Sequence, residues 1–165
     1  MSKQNKQAKP EWPPFAEWSW RSYDGRRAVD VGQFLSDHKD EMFFIGTDSQ
    51  NYSKKKTCVF TTVLIAYRMG RGGNIVTHRH KVPYMDALRQ RLLMEAMLSL
   101  EVGWYLDTKV PKKSIIGIHL DVNQSLKYKS GQYKDELVGM VMGQGFTALC
   151  KPDSWAASSV ADSRC

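Results

Sequence analysis

Four acidic residues are candidates for binding a ligand or a cation: Asp48, Glu95, Asp121 and Asp162. Carboxylate oxygens are the ligands that hard divalent cations prefer, but aspartates also cap turns. Asp48 follows the apolar run FFIGT and is predicted to close a strand at this point. It either faces a ligand there or caps a turn together with Ser49 and Gln50.

Glu95 is expected in the middle of a long helix, at the angular position of Leu88 and Val102. An acid at this position faces the core side of the helix. The alternative is a surface stripe, because Arg91 and Ser99 lie four residues to either side and ion pairs at that spacing are ordinary. The pattern does not decide between the two.

Asp121 ends the apolar segment IGIHLD, where alternation places it on the same face as His119. The carboxyl end of a central strand is where open α/β sheets bind ligands. Asp162 follows the small residues of 156–159, which would let a helix approach a sheet closely. Near the end of the sequence it could equally be a solvated residue.

Composition predicts one soluble domain. The chain has 165 residues, 42% of them hydrophobic, and a net charge of +7 that favours polyanions such as nucleic acid. Its three cysteines lack a C-x-x-C spacing, so a reducing, cytoplasmic setting is expected without disulfides or a zinc ribbon. We find no stretch of bilayer length, so no membrane association is expected.

The elements that would position the acids follow the order βββαβαβα, which predicts an α/β fold. Residues 1–14 read as a flexible tail and residues 15–165 as a single domain. Strands are predicted at 42–48, 57–67, 74–82, 114–123 and 145–150, with a turn at 70–73. Helices are predicted after the Asp24–Gly25 turn, at 85–106, at 132–143 and from Ser154.

Four segments, FIGTDSQ, RLLMEAMLSLE, IHLDVN and KPDSWAASSVAD, carry a family resemblance. Together they resemble the ribonuclease H-like proteins of the YkuK type, found in bacteria and phages. The resemblance spans about residues 43–164 and implies a mixed five-stranded sheet flanked by helices. It nominates Asp48, Glu95, Asp121 and Asp162 as both the catalytic and the metal-binding set.

The resemblance also implies a chemistry and a cofactor. Two Mg²⁺ or Mn²⁺ ions can stabilise the attacking water, the phosphate and the leaving alkoxide of phosphodiester hydrolysis. Clustered carboxylates without a metal would repel one another. Gln50 stands where the exonuclease branch of the superfamily carries an acid, so an exonuclease of that type is not supported.

Four lysines and one tyrosine that follow the acids in sequence are candidates for binding a nucleic acid. Lys54 and Lys55 follow the first acid, and Lys127, Tyr128 and Lys129 follow the third. They could grip phosphates and stack on a base, although solvated lysines are equally ordinary.

Three histidines and the N-terminal tryptophans are further candidates for metal binding, proton transfer or base stacking. His78 and His80 share one face of a strand and could ligate zinc, but no third ligand lies near, so HRHK is predicted to be a basic strand edge. His119 is either a proton shuttle or a hydrogen-bonded core residue. The tryptophans at 12, 18 and 20 are predicted to pack rather than to form a stacking platform.

The sequence therefore predicts a metal-dependent nuclease that acts on DNA or RNA. One alternative is a non-catalytic nucleic-acid-binding protein of the same fold. Another is a protein-interaction module whose acids merely solvate the edge of the sheet.

Overall fold

A computed structural model describes residues 12–154 of the chain. Most of the predicted tail, the predicted last helix and Asp162 lie outside the described residues. Within the described part, no helix is long and apolar enough to cross a membrane.

The described chain forms a mixed sheet with helices. The strands are β1 Trp20–Ser22, β2 Ala28–Val29, β3 Met42–Tyr52, β4 Thr57–Arg68, β5 Gly72–Pro83, β6 Ile115–His119 and β7 Ala148–Leu149. The helices are α1 Val31–Asp37, α2 Leu88–Asp107 and α3 Lys134–Gly143. The strand order in the seven-stranded sheet is β2-β1-β5-β4-β3-β6-β7. Pairing is antiparallel from β2 to β3 and parallel from β3 through β6 to β7.

The predicted five-stranded sheet is too small, because β1 and β2 extend it beyond β5. These strands have three and two residues, too few for apolar and polar side chains to show a period. The predicted α1 is present, and its first turn is capped by Asp30, whose side chain accepts a hydrogen bond from the backbone N–H of Gln33.

The prediction that the first long strand ends at Asp48 is wrong. Strand β3 continues to Tyr52, and Asp48 lies opposite Thr61 in an unbroken antiparallel ladder with β4. The polar residues at 49–51 looked like a turn, but the long partner strand satisfies their backbone groups. Asp48 is therefore an internal strand residue and neither ends a strand nor caps a turn.

Alternation along the long strands divides the sheet into two faces. One face, called here the α2 face, carries Phe43 and Ile45 and packs against α2 with Leu100 and Leu106 in the main core. The opposite face, called here the Asp48 face, carries a smaller cluster made by Val63 and Ile65 with Phe44 and Ile75 packed against it. Since successive residues alternate, Asp48 and Ser49 lie on different faces of β3.

Candidate functional site

Asp48 lies in β3, and Asp121 follows the neighbouring parallel strand β6. The pairing of β3 with β6 ends at Gly46 opposite His119, and each acid follows its strand's last paired residue by two positions. Period-two alternation within β3 puts Asp48 on the face of Gly46. Strands β3 and β6 are adjacent as predicted, but β6 ends at His119, so the predicted strand over 114–123 is too long and Asp121 lies in the segment that follows β6.

Glu95 approaches β3 from α2, on the face of Ser49 and not of Asp48, and it faces the core rather than a surface stripe. Its side chain is buried and accepts a 2.6 Å hydrogen bond from the Ser49 hydroxyl. Arg91, one turn earlier on α2, donates to the same hydroxyl oxygen at 3.4 Å. Strand β3 and helix α2 thus hold Glu95 through a short polar chain that the sequence pattern did not reveal.

The three described acids influence one another electrostatically. Burial raises the pKa of Glu95 well above 4.5, and the negative charges of Asp48 and Asp121 raise it further. The hydrogen bond from Ser49 and the charge of Arg91 oppose this rise in pKa, but burial and the charge of Asp48 outweigh them. Glu95 is therefore a carboxyl group that holds a proton more tightly than an ordinary glutamate does.

Asp121 has a basic partner that sequence reasoning missed. The Lys151 ammonium lies 2.5 Å from a carboxylate oxygen of Asp121. Lys151 follows β7, and its backbone N–H donates to the carbonyl of Val122 at 3.1 Å, which fixes the lysine beside the strand end. No spacing rule connects positions 121 and 151, because only the pairing of β6 with β7 brings them together.

Whether these residues suit a divalent cation can be judged from their chemistry and spacing. Carboxylate oxygens are suitable donors, and the mutual repulsion that raises the pKa of Glu95 is what a bound cation would relieve. Against this, residues 12–154 contain no group of three or more His, Cys, Asp or Glu side chains gathered closely enough to hold a metal ion. The donor types fit, but the described spacing falls short of a complete metal site.

His119 lies beside the acids as a buried ring. It lines one narrow cleft with Glu95, Asp121 and Thr47, and its ring centroid is 5.2 Å from that of Phe44. Burial lowers the pKa of His119 to about 4. The imidazole is therefore neutral near pH 7, as expected for a core histidine.

The predicted cationic residues lie in two exposed segments at the same end of the sheet. Lys54 and Lys55 occupy a 3₁₀ turn directly after β3. Lys127, Tyr128 and Lys129 lie in the loop after Asp121, and Tyr128 is 58% exposed. Both segments follow the carboxyl ends of the adjacent strands β3 and β6, and their contact with a nucleic acid stays a prediction.

The loop that carries Lys127 to Lys129 is held by local hydrogen bonds. The Asn123 side chain accepts from the Ser125 N–H, and the Ser125 hydroxyl accepts from the Lys127 N–H. Gly131 closes the loop, because a Cβ at this position would overlap the carbonyl of Ser125. The loop's lysines thus project from a defined backbone.

His78 and His80 do not form a basic strand edge, so that prediction is wrong. Strand β5 is paired on both sides, and both rings are buried on the α2 face. His78 Nδ1 lies 2.7 Å from the carbonyl of Ser19, and the two Nε2 atoms are 3.0 Å apart. Trp18 stacks on His78 with ring centroids 4.7 Å apart, and Trp20 is also buried, so the tryptophans pack as predicted.

Comparison with known proteins identifies the family. Residues 28–165 match the model of the family described as Ribonuclease H-like, and the chain belongs to that family. It is also similar to Uncharacterized protein YkuK of Bacillus subtilis (strain 168), with 30% identity over 137 residues that cover 72% of this chain and 75% of that protein. No solved structure matches the chain significantly. The resemblance seen in the four sequence segments is thus confirmed at the level of the family.

Proposed function

We propose that this protein is a divalent-metal-dependent nuclease that hydrolyses phosphodiester bonds of nucleic acid. Asp48, Glu95, Asp121 and Asp162 would hold Mg²⁺ or Mn²⁺. The observation that carries the proposal is a glutamate on α2 of a ribonuclease H-like protein whose pKa is raised by burial and further by the charges of Asp48 in β3 and Asp121 after β6. Such perturbed acids cluster at functional sites.

The bound ions would supply charge neutralisation of the phosphate and a water of lowered pKa. The chain's own residues prepare this site in three ways. Ser49 and Arg91 orient Glu95 through the hydroxyl of Ser49. Lys151 pairs with the charge of Asp121 and would have to release it for Asp121 to hold a cation. Thr47 and the buried His119 close the floor of the cleft against water.

Binding of the polyanion is assigned to the exposed residues around the acids. Lys54, Lys55, Lys127 and Lys129 attract phosphates, and the exposed ring of Tyr128 offers a base a surface for stacking. The net charge of +7 supports the same assignment by favouring encounter with nucleic acid.

One alternative is a nucleic-acid-binding protein of the same fold that does not cleave. It is favoured by the ion pair of Lys151 with Asp121 and by the lack of a three-ligand group within residues 12–154. A lysine that permanently occupies Asp121 would leave too few free carboxylates for two metal ions.

Cleavage assays with matched variants separate the two functions. Wild-type protein with Mn²⁺ or Mg²⁺ is expected to cut at least one of labelled single-stranded DNA, duplex DNA, RNA and RNA–DNA hybrid. Asp48→Asn should abolish cleavage and retain binding, because the amide keeps the shape and loses the charge that a cation needs. Asp107→Asn, an exposed change at the far end of α2, should cleave like wild type. Binding without metal-dependent cleavage of any substrate would replace the nuclease by the non-catalytic alternative.

A further inference from the structure

A basic groove lies on the Asp48 face of the sheet, beyond the acids. It has a volume of about 360 Å³. Its walls and floor are formed by six residues of β3, β4, β5 and the 3₁₀ turn after β3: Tyr52, Lys55, Thr57, Val59, Arg79 and Lys81. Three of the six are cations and none is an acid.

Strand register connects this groove to Asp48. Asp48 lies opposite Thr61, and Thr61 lies opposite Arg79, so the three form one row across β3, β4 and β5. Lys81 belongs to the next row on the same face, opposite Val59. Two strand spacings place the backbone of Arg79 roughly 10 Å from that of Asp48. Arg79 therefore shares a face and a row of the sheet with Asp48, and Lys81 lies one row further along the same face.

The alternation of β5 explains why the cations reach solvent. His78 and His80 are buried on the α2 face, which turns Arg79 and Lys81 outward as exposed side chains. The residues of the segment HRHK thus alternate between the two faces of the sheet. The histidines pack beneath the sheet, and the intervening and following cations line the groove above it.

The groove also offers a ring for stacking. Lys55 Nζ lies 5.9 Å from the centre of the Tyr52 ring, and the Tyr52 hydroxyl donates to the Gln50 side chain at 3.1 Å. Gln50, the next residue after Asp48 on this face of β3, therefore orients the Tyr52 ring one position further along the strand. A row of cations beside an oriented aromatic ring is the chemistry that binds a nucleic-acid strand, with phosphates on the cations and a base on the ring.

We propose that this groove binds the backbone of single-stranded nucleic acid and leads the strand across β5 and β4 toward Asp48. A single strand is specified because a duplex keeps its bases inside, where the Tyr52 ring does not reach them. Roughly 10 Å corresponds to about three base steps at a rise of 3.4 Å per step. The position of the cut relative to the groove rests on the proposed nuclease function; binding in the groove does not.

Binding is measured without metal, so that cleavage plays no part. The probe is a fluorescein-labelled thymidine 20-mer, titrated in EDTA from 50 to 200 mM NaCl and followed by anisotropy. Arg79→Ala/Lys81→Ala should weaken binding at least about tenfold and flatten the log–log salt slope by about 1.4, the value for two lost phosphate contacts on a single strand. Tyr52→Ala should weaken binding, whereas Tyr52→Phe should retain most of it.

The matched control removes the same charge at the opposite end of the sheet. Lys39→Ala/Arg71→Ala changes two exposed cations that precede β3 and follow β4, and should alter affinity less than about twofold. Equal loss of affinity in the groove variant and the control would overturn the proposal that the groove binds the strand. A wild-type protein that does not bind the probe would overturn it as well. A 20-base-pair duplex bound as tightly as the single strand would overturn the single-strand assignment.

The outcomes distinguish this inference from the nuclease function. A protein that loses probe binding with the groove variant but never cleaves supports the groove and contradicts the nuclease. A protein that cleaves, with cleavage lost in Asp48→Asn, while the groove variant binds and cuts like wild type, supports the nuclease and contradicts the groove. Circular dichroism and thermal melts of each variant establish that the fold is retained.

Discussion

The Ser49 hydroxyl donates a 2.6 Å hydrogen bond to the carboxylate of Glu95. Ser49 directly follows Asp48 in β3, so the side chains of these two residues point to opposite faces of the strand. Asp48 contributes its own charge on one face, and Ser49 fixes the acid of α2 on the other. Asp48 and Ser49 are thus the contribution of β3 to the candidate site.

The first prediction concerns Glu95 and the pH dependence of stability in EDTA. Because the pKa of Glu95 is raised above its ordinary 4.5, the native protein binds this proton more tightly than the unfolded chain does. Stability therefore falls as the pH rises above 4.5, by about 1.4 kcal/mol for each unit of raised pKa that is crossed. Glu95→Gln should remove this loss, so its unfolding free energy relative to wild type should rise between pH 5 and pH 8.

Urea unfolding at both pH values measures this difference. Glu101→Gln, on the same helix, is the control and should follow the wild-type pH dependence. An identical pH dependence in Glu95→Gln and wild type would show that Glu95 ionises normally.

The second prediction concerns the competition of Lys151 with a cation for Asp121. Lys151→Met keeps much of the side-chain volume and removes the charge that lies 2.5 Å from Asp121. The affinity for Mn²⁺ should increase about fivefold, or about 1 kcal/mol, the upper range for a partly exposed ion pair. Calorimetry measures the affinity. Lys113→Met, an exposed lysine before β6, should bind Mn²⁺ like wild type, and unchanged affinity in Lys151→Met would contradict the competition.

The third prediction concerns the buried histidine pair. Burial lowers the pKa of His78, and burial together with the His78 ring lowers that of His80 from 6.5 to about 4. The unfolded chain takes up protons first as the pH falls, so stability is full above pH 6.5 and is lost toward pH 4. His80→Gln should lose less stability between pH 7 and pH 5 than wild type, by on the order of 2 kcal/mol.

Chemical unfolding at a series of pH values provides this measurement. His38→Gln, a histidine beside Glu41 and outside the tryptophan cluster, tests whether the effect belongs to the buried pair. The explanation fails if His80→Gln and wild type lose the same free energy on acidification.

The fourth prediction concerns two glycines with opposite surroundings. A Cβ at Gly131 would overlap the Ser125 carbonyl, whereas a Cβ at Gly139 meets nothing within 4 Å. Gly131→Ala should destabilise the protein by roughly 1–3 kcal/mol and weaken nucleic-acid binding, because the loop carries Lys127 and Lys129. Gly139→Ala, inside α3, should stabilise it by roughly 0.5–1 kcal/mol. Melting temperatures that shift in the same direction for both variants would contradict the described loop.

Much of the fold could be predicted from the sequence because its long elements have strong patterns. The β-branched and aromatic run TCVFTTVLIAY predicted β4, and the long segment without proline predicted α2. The adjacent strands β3 and β6 were also predicted from their apolar character, although β3 continues past Asp48 and β6 ends before Asp121. These elements are set by local composition and periodicity, which a single sequence contains.

The errors arose where distant partners determine the structure. Strand β3 extends past Asp48 because β4 pairs with it, and His78 and His80 are buried because β1 and the tryptophans cover them. Lys151 reaches Asp121 only through the position of β7. Each of these relations joins residues that are far apart in sequence, so no local pattern contains it.

The most direct measurement is a crystal structure grown with Mn²⁺ and recorded at a wavelength where manganese scatters anomalously. The proposed function predicts anomalous density bounded by the carboxylates of Asp48, Glu95 and Asp121, with Lys151 displaced from Asp121. Asp48→Asn crystals grown in the same way should lose that density. A wild-type structure at saturating Mn²⁺ with no anomalous density among these acids, and with Lys151 still paired to Asp121, would contradict the metal site and the nuclease with it.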